Sequence, residues 1–126
     1  MISTNFKIED KIINNEDKYI TMNKGDTLAF GVIIEDQNGA PLDVDTMSFV
    51  ARKNYDDTMA IFEKTIGDGI ERDSEGTYKV RVSPYDTDRD GVAVGLYYYS
   101  LRCGLNDDVY TVIKGVLEID PIVSES

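Results

Sequence analysis

The amino-acid sequence predicts an all-β protein, an antiparallel β-sandwich of about seven to nine strands. Short runs of alternating apolar and polar residues recur through the 126-residue chain, and clusters rich in Gly, Asn and Asp separate them. None of these runs has the i, i+3, i+4 apolar spacing of an amphipathic helix. In residues 77–83 the alternation places Tyr78, Val80 and Val82 on one strand face and polar residues on the other.

The first half of the chain contains four predicted strands and one undecided segment. Residues 1–18 are predicted to form an N-terminal arm or a first strand, because polar residues interrupt their short apolar pairs. The strands are residues 19–22, 27–35, 47–53 and 59–65. Turns separate them, and the turn at 36–39 contains Asn38-Gly39, a pair that readily takes positive φ.

The second half contains the clearest strands, and the two halves together are predicted to form one sandwich domain over residues 19–120. The predicted strands are residues 70–72, 77–83, 96–103 and 109–120. Residues 84–95 are rich in Asp and Gly and are predicted to form a long loop. A polar C-terminal tail, residues 121–126, follows the last strand.

The last two strands are predicted to form a hairpin with Leu101 and Cys103 on its inner face. A three-residue loop, residues 105–107, pairs Cys103 with Val109 and Leu101 with Thr111. This register turns Val109 and every second residue after it toward the core. As a small apolar residue on the inner face, Cys103 is predicted to be a buried thiol.

The outer face of this hairpin is the candidate interaction surface. The predicted register gives two cation–π pairs, Arg102 opposite Tyr110 and Tyr98 opposite Lys114. The candidate contact residues are Tyr98, Arg102, Tyr110, Val112 and Val116. They make this face more apolar than a solvated sheet requires, and the alternative interpretation is an ordinary amphipathic sheet surface.

The charge of the chain restricts its partners. With 24 acidic and 13 basic residues, the formal net charge is −11, which repels nucleic-acid phosphates and anionic lipids. We therefore expect protein partners and no binding to nucleic acid or membrane. Residues 1–22 lack a basic segment followed by a continuous apolar one, so no signal peptide is predicted and cytoplasmic synthesis is expected.

The residue inventory argues against catalysis. The chain contains no His, which excludes Ser-His and Cys-His nucleophilic pairs and removes the commonest zinc ligand. Three carboxylate pairs have the residue types that glycoside hydrolysis uses: Asp43 with Asp45, Asp56 with Asp57, and Glu71 with Asp73. All lie in polar turn-like sequence, where nothing raises a carboxyl pKa. We expect them to be surface charge, and we expect no catalytic residue and no cofactor.

One segment resembles the opening of a calcium loop. Asp86, Asp88 and Asp90 alternate before Gly91, as the first oxygen ligands of such a loop do. The position of the bidentate Glu is occupied by Tyr97, in a predicted strand. The segment is therefore a weak calcium candidate, and a solvated acidic turn is the favoured interpretation.

Residues 95–99 indicate the type of sandwich. Tyr97 stands near the start of a late strand, as in the tyrosine corner, where the hydroxyl bonds back to the backbone of the preceding loop. This feature is typical of immunoglobulin-type sandwiches, although the sequence lacks the disulfide and the Trp of antibody domains. A plain aromatic-rich strand is the competing interpretation.

The chain resembles the small immunoglobulin-like domains of tailed-bacteriophage and prophage structural proteins, including the N-terminal domain of upper baseplate proteins. The matching segments are ITMNKGDT at 20–27, DQNG at 36–39, GTYKV at 76–80, SPYDT at 83–87, GLYYY at 95–99 and YTVIKG at 110–115. The resemblance extends over residues 19–120, and its segments mostly mark turns and strand starts.

The resemblance implies a non-enzymatic virion structural or assembly protein, acting through protein contacts in a baseplate, a tail or a capsid surface. The implied partners are other virion proteins and further copies of the chain, and the implied location is the virion. The alternative is a carbohydrate-binding β-sandwich module, in which Tyr98, Tyr110 and loop carboxylates hold a cell-wall glycan.

Overall fold

The protein is a single β-sheet that curls on itself into two packed layers, which confirms the all-β immunoglobulin-like sandwich. The computed structural model describes the backbone of residues 4–9 and 13–14. It describes both backbone and side chains of residues 19–36, 38–54, 56–88 and 92–121.

The described residues form ten strands and one short helix. The strands are β1 (Thr4–Glu9), β2 (Ile13–Asn14), β3 (Tyr19–Asn23), β4 (Leu28–Asp36), β5 (Thr46–Arg52), β6 (Phe62–Ile66), β7 (Gly69–Ser74), β8 (Thr77–Val82), β9 (Gly95–Leu105) and β10 (Asp108–Asp120). Their order across the sheet is β1-β4-β8-β7-β6-β5-β9-β10-β3-β2. The count exceeds the expected range because the segment before residue 19 supplies two short strands.

Two strand pairs are parallel, whereas the sequence predicted antiparallel pairing throughout. β3 runs parallel to β10, and β6 runs parallel to β7 through residues 65–66 and 69–70. The β6–β7 pair joins the layer β1-β4-β8-β7 to the layer β6-β5-β9-β10-β3-β2. The two layers are therefore parts of one continuous sheet.

The core lies between the layers, and aromatic rings connect them. Phe30 of β4 and Phe49 of β5, which three strands separate in the sheet order, meet edge to face with centroids 5.2 Å apart. Phe49 also contacts Phe62 and Tyr99, at 5.7 and 5.6 Å. Such aromatic pairs contribute about 0.5–1.5 kcal/mol to stability beyond the contribution of their buried area.

Cys103 is buried in the same core, as predicted, and burial raises the pKa of its thiol to about 11.

The chain crosses from the first layer to the second through residues 41–45, against the turn between β7 and β8. At this turn Gly76 has a φ of +71°. A Cβ on Gly76 would lie 2.7 Å from the carbonyl oxygen of Ile34 and 2.8 Å from the amide nitrogen of Leu42. No side chain fits at this contact, so glycine is required here.

Polar contacts hold the crossing segment to the same turn. The Gly76 N–H donates to Asp43 Oδ1 at 2.8 Å, and the Arg72 guanidinium forms an ion pair with Asp43 at 2.9 Å. The Val44 N–H donates to the buried hydroxyl oxygen of Tyr78 at 2.9 Å. These bonds satisfy backbone groups that burial would otherwise leave unpaired.

The loop predicted at residues 84–95 begins with α1 (Pro84–Thr87), a single helical turn. The Thr87 side chain is fully buried, and its Oγ1 accepts a hydrogen bond from Gly25 N at 2.8 Å. The short helix therefore fixes the turn between β3 and β4. Within the described stretches, no helix has the length and apolar character needed to span a membrane.

The observed start of β6 differs from the prediction. The strand was expected from residue 59, but β6 begins at Phe62. The Met59 side chain is 81% exposed and does not reach the core. The chain joins the sheet where the Ile61 N–H donates to the Ala51 carbonyl oxygen.

The last hairpin differs from the prediction in the length of its turn. The turn between β9 and β10 has two residues, Asn106 and Asp107, with φ values of 53° and 69°. Positive φ at both central residues is the type I′ geometry, which Asn and Asp tolerate. Tyr110 therefore lies opposite Cys103, where the three-residue loop placed Val109.

After a β-bulge, the residues of β10 that were predicted to face the core do so. The register shifts between Thr111 and Ile113, so Val112 is the extra residue and Ile113 lies opposite Leu101. Ile113 is buried, as predicted. The inward prediction for Val109 and Thr111 is wrong, because both lie before the bulge and are exposed.

The strand assignment of β8 is tested by two neighbouring substitutions. Val80 is fully buried and Arg81 is exposed. We expect Val80→Asp to lower the free energy of unfolding by at least about 4 kcal/mol, because it buries an unpaired charge. Arg81→Asp should cost less than about 1 kcal/mol. Urea denaturation measures both, and equal losses would contradict the assignment.

Candidate interaction surface

The surface is the side of β3, β10, β9 and β5 that faces away from the core, which we call the outer face. One row of directly opposed residues crosses all four strands: Tyr19, Val116, Tyr98 and Arg52. Tyr19, Tyr98 and Val116 are each partly buried although they lie outside the core. Neighbouring side chains on this face therefore pack against one another.

A second row lies beside the first. It runs from Lys114 through Ser100 and Val50 to Glu63 on β6. Val50 is only 6% exposed, although it alternates with the core residues of β5 and is not in the core cluster. The outer face thus contains an aliphatic side chain that its neighbours shield from water.

A hydrogen bond joins β3 to β10 on the outer face. The Tyr19 hydroxyl donates to Glu118 Oε1 at 2.5 Å. This bond and a contact with Asp120 hold the pKa of Glu118 below its ordinary value. A hydrogen bond with Glu118 raises the pKa of Asp120, and burial and repulsion between the two carboxylates add to this effect. The rim of the outer face is therefore acidic at this end.

The structure places only part of the predicted contact set on the outer face. Tyr98, Arg102 and Val116 lie there, as predicted. Tyr110 and Val112 pack against the core instead, so their assignment to the outer face is wrong. The two-residue turn places Tyr110 opposite the core residue Cys103. Val112 is the extra residue of the bulge, and its side chain turns inward.

The predicted cation–π pairs are also wrong. Arg102 lies opposite Thr111 on one side and Ser48 on the other, and Tyr98 lies opposite Val116. The ammonium group of Lys53 instead lies over the Tyr97 ring, 4.8 Å from its centroid.

Tyr110 is unusual among the tyrosines of the hairpin. Its hydroxyl oxygen is buried and has no hydrogen-bond partner among the described residues. Burial raises the pKa of this hydroxyl, and the nearby Asp108 carboxylate adds to the effect. The aromatic ring is therefore positioned by its packing against the core.

Three residues of the outer face were not among the predicted contacts. These are Tyr19, Val50 and Arg52. Val50 and Arg52 alternate with the core residue Phe49 along β5, so the sequence pattern places them on the other face of the strand. The position of Tyr19 depends on parallel pairing between distant strands, for which the sequence carries no local signal.

The tyrosine corner is confirmed. The Tyr97 hydroxyl donates to the Ala93 carbonyl oxygen at 2.6 Å. Ala93 lies four residues earlier, in the loop before β9. The bond fixes the entry of the chain into the strand that carries Tyr98.

The acidic segment around Asp86 serves the fold. Asp86 Oδ2 accepts from Ser83 N at 2.7 Å and Ser83 Oγ at 2.9 Å, and it forms an ion pair with Lys64 at 2.8 Å. Burial alone raises the pKa of Asp86, but the hydrogen bonds from Lys64 and Ser83 outweigh burial and lower it. Asp88 follows α1 as its C-cap, and Asp90 lies outside the described residues.

Two of the three carboxylate pairs that were expected to be surface charge contain residues that hold loops. Asp43 binds Arg72 and Gly76 N, and the hydrogen bond from Arg72 lowers the pKa of Asp43. Asp45 Oδ2 accepts from Asn106 N at 3.0 Å. In the second pair, Asp57 Oδ2 accepts from the Asn54 N–H at 3.0 Å. Among the described residues, no group of three or more His, Cys, Asp or Glu side chains is placed to hold a metal ion.

Solved structures share the fold at low sequence identity. CopC from Methylosinus trichosporium OB3b has a TM-score of 0.50 at 12% identity, with 100% of both chains covered. MtrC from Shewanella baltica OS185 has a TM-score of 0.55 at 12% identity, over 93% of this chain and 22% of MtrC. Murine CRIg has a TM-score of 0.48 at 10% identity, over 95% of this chain and 98% of CRIg.

The likenesses to CopC and MtrC concern the fold alone, because an identity of 12% carries no information about a site. The chain spans about a fifth of the length of MtrC. No family model and no curated protein sequence matches the chain.

The Lys64–Asp86 ion pair predicts a specific pH dependence. The folded-state pKa of Asp86 is lowered, so the stability it contributes is present above the unfolded pKa of about 4 and is lost as the pH falls further. A double-mutant cycle with Lys64→Met and Asp86→Asn should give a coupling of about 1 kcal/mol or more at neutral pH. The coupling should vanish near pH 2. A coupling independent of pH would contradict the ion pair.

The calcium candidate is tested by melting temperature. Asp86 is already held by Lys64 and Ser83, so binding calcium there would require breaking these contacts. We expect millimolar calcium, or its removal with a chelator, to leave the melting temperature unchanged within about 1 °C. A rise that disappears in Asp88→Ala would contradict this expectation, because a ligand that binds only the folded state must stabilise it.

Proposed function

We propose that the protein is a non-enzymatic structural or assembly module of a phage or prophage particle that binds neighbouring proteins through its outer face. Its partners are other virion proteins or further copies of the chain. It is synthesised in the cytoplasm and incorporated into the particle. The resemblance of residues 19–120 to domains of phage structural proteins supports the particle assignment.

The observation that carries the contact role is the row Tyr19, Val116 and Tyr98 beside the shielded Val50. A sheet face in contact only with water normally presents polar side chains at these positions. Tyrosines are enriched at protein interfaces because a rigid ring combines apolar area with a polar tip. The outer face has this composition at its centre and charged residues around it, which is the arrangement of an interface.

The contacts of the loop carboxylates support a non-enzymatic role. Asp43, Asp45 and Asp86 each accept hydrogen bonds that fix a turn or a crossing segment. A general acid needs a carboxyl group whose pKa is raised in a partly apolar cleft. Asp43 and Asp86 instead have lowered pKa values.

The glycan-binding alternative loses its main support in the structure. It used Tyr98, Tyr110 and loop carboxylates together to hold a glycan. The observed register places Tyr98 on the outer face and packs Tyr110 against the core. The interface role is therefore the function that the geometry supports best.

The proposal predicts that the outer face is dispensable for folding and required for assembly. Tyr98→Ser with Val116→Ser should leave the circular dichroism spectrum unchanged and abolish self-association or incorporation into particles. Interface aromatics contribute about 2 kcal/mol or more to association, whereas a partly buried strand position outside the core changes the free energy of folding by about 1 kcal/mol.

The matched control is Tyr85→Ser with Val94→Ser, which removes the same side-chain types from exposed positions, 71% and 46% exposed, outside the strands. Light scattering and the protein content of purified particles measure both double variants. Normal assembly of the Tyr98 and Val116 variant would contradict the proposal.

A further inference from the structure

A small recess opens on the outer face between two cations. Its volume is about 90 Å³, and it is lined by Arg52, Tyr98, Tyr99, Ser100 and Lys114. Arg52 and Lys114 lie on the strands to either side of β9, so the recess sits over the centre of the face. A cavity of about 10–15 Å³ by this measure already holds one water molecule, so the recess is large enough for a carboxylate group.

The two cations have no carboxylate partner in the part of the chain that the structure describes. Lys64 and Arg72 form ion pairs with Asp86 and Asp43, but Arg52 and Lys114 form none. This is notable in a chain with 24 acidic residues and 13 basic ones. The carboxylates nearest in register do not pair with Arg52 or Lys114. Glu118 accepts a hydrogen bond from Tyr19, and Glu63 lies on β6, opposite Val50.

The surroundings of the recess favour charge pairing. Val50, 6% exposed, lies directly opposite Ser100 on the same face. A partner seated over Tyr98 and Val50 would exclude water, and charge-assisted hydrogen bonds strengthen when water is excluded. The hydroxyl of Ser100 and the forked guanidinium of Arg52 are donors that suit the two oxygens of a carboxylate.

We propose that the recess receives an Asp or Glu side chain from an extended acidic segment of the protein partner. This inference rests on the proposed function, because it takes the outer face to be the contact surface and adds the chemistry of the partner. The carboxylate sits between Arg52 and Lys114, and the segment that carries it lies across the Tyr98 row. The net negative charge of the whole chain does not prevent this, because charges beyond about 8 Å are screened at physiological ionic strength.

The test uses two labelled peptides and fluorescence anisotropy at about 0.15 M salt. One peptide alternates Glu with Thr, and the other has Gln in place of each Glu. We expect the protein to bind the Glu peptide at least about tenfold more tightly than the Gln peptide, as the loss of a charge-assisted pair implies. Arg52→Gln with Lys114→Gln should abolish this preference.

The matched control is Lys79→Gln with Arg81→Gln, which removes the same number of charges from exposed positions of β8, in the other layer. It should keep the preference for the Glu peptide. Equal losses in the two double variants would show a general charge effect and overturn the inference. Failure of the unchanged protein to distinguish the peptides would overturn it as well.

The outcomes separate this inference from the proposed function. If Arg52→Gln with Lys114→Gln assembles normally while Tyr98→Ser with Val116→Ser does not, the interface stands and the acidic partner is refuted. If the Glu preference depends on Arg52 and Lys114 while the Tyr98 and Val116 variant assembles normally, the recess binds carboxylates but the assembly role is refuted.

Discussion

The close approach of backbone at Gly76 is the constraint on which both layers depend. The chain leaves β4, turns, and crosses to β5 within a few residues, and it does so in contact with the turn between β7 and β8. Because Gly76 has no Cβ, it leaves room for the hydrogen bond from the Leu42 amide to the Ile34 carbonyl oxygen. The crossing then delivers Phe49 opposite Phe30, and this aromatic pair fixes how the layers pack.

The composition of the outer face depends in turn on two local features of the last hairpin. The two-residue turn at Asn106 and Asp107 sets which residues at the start of β10 face the core. The bulge at Val112 exchanges the two faces for the residues that follow. Without the bulge, Ile113 would face water and Val116 would face the core, since one residue of slippage exchanges the faces of a strand. Tyr98 therefore lies beside Val116 on the outer face because the turn and the bulge together set this register.

Alternation predicted the inward residues of single strands well, because the apolar residues of each strand lie on the face that it buries. Val80, Leu101 and Cys103 are in the core as the pattern requires, and the tyrosine corner could be predicted because Tyr97 and Ala93 are close in sequence. Pairing between strands was harder to predict. A parity argument allows an odd loop, or an even loop with a bulge, and nothing in the sequence distinguishes them. Contacts such as Thr87 with Gly25 join distant residues and leave no sequence pattern.

The parallel pair of β3 and β10 has a consequence for how the chain folds. β10 can form its hairpin with β9 at once, but β3 must wait for a partner that is made almost a whole chain length later. Such non-local pairing gives a high contact order, for which folding in milliseconds to seconds is typical. During synthesis β3 emerges from the ribosome with its apolar face uncovered. The packing of Tyr19 against Val116 therefore cannot form until β10 has been made.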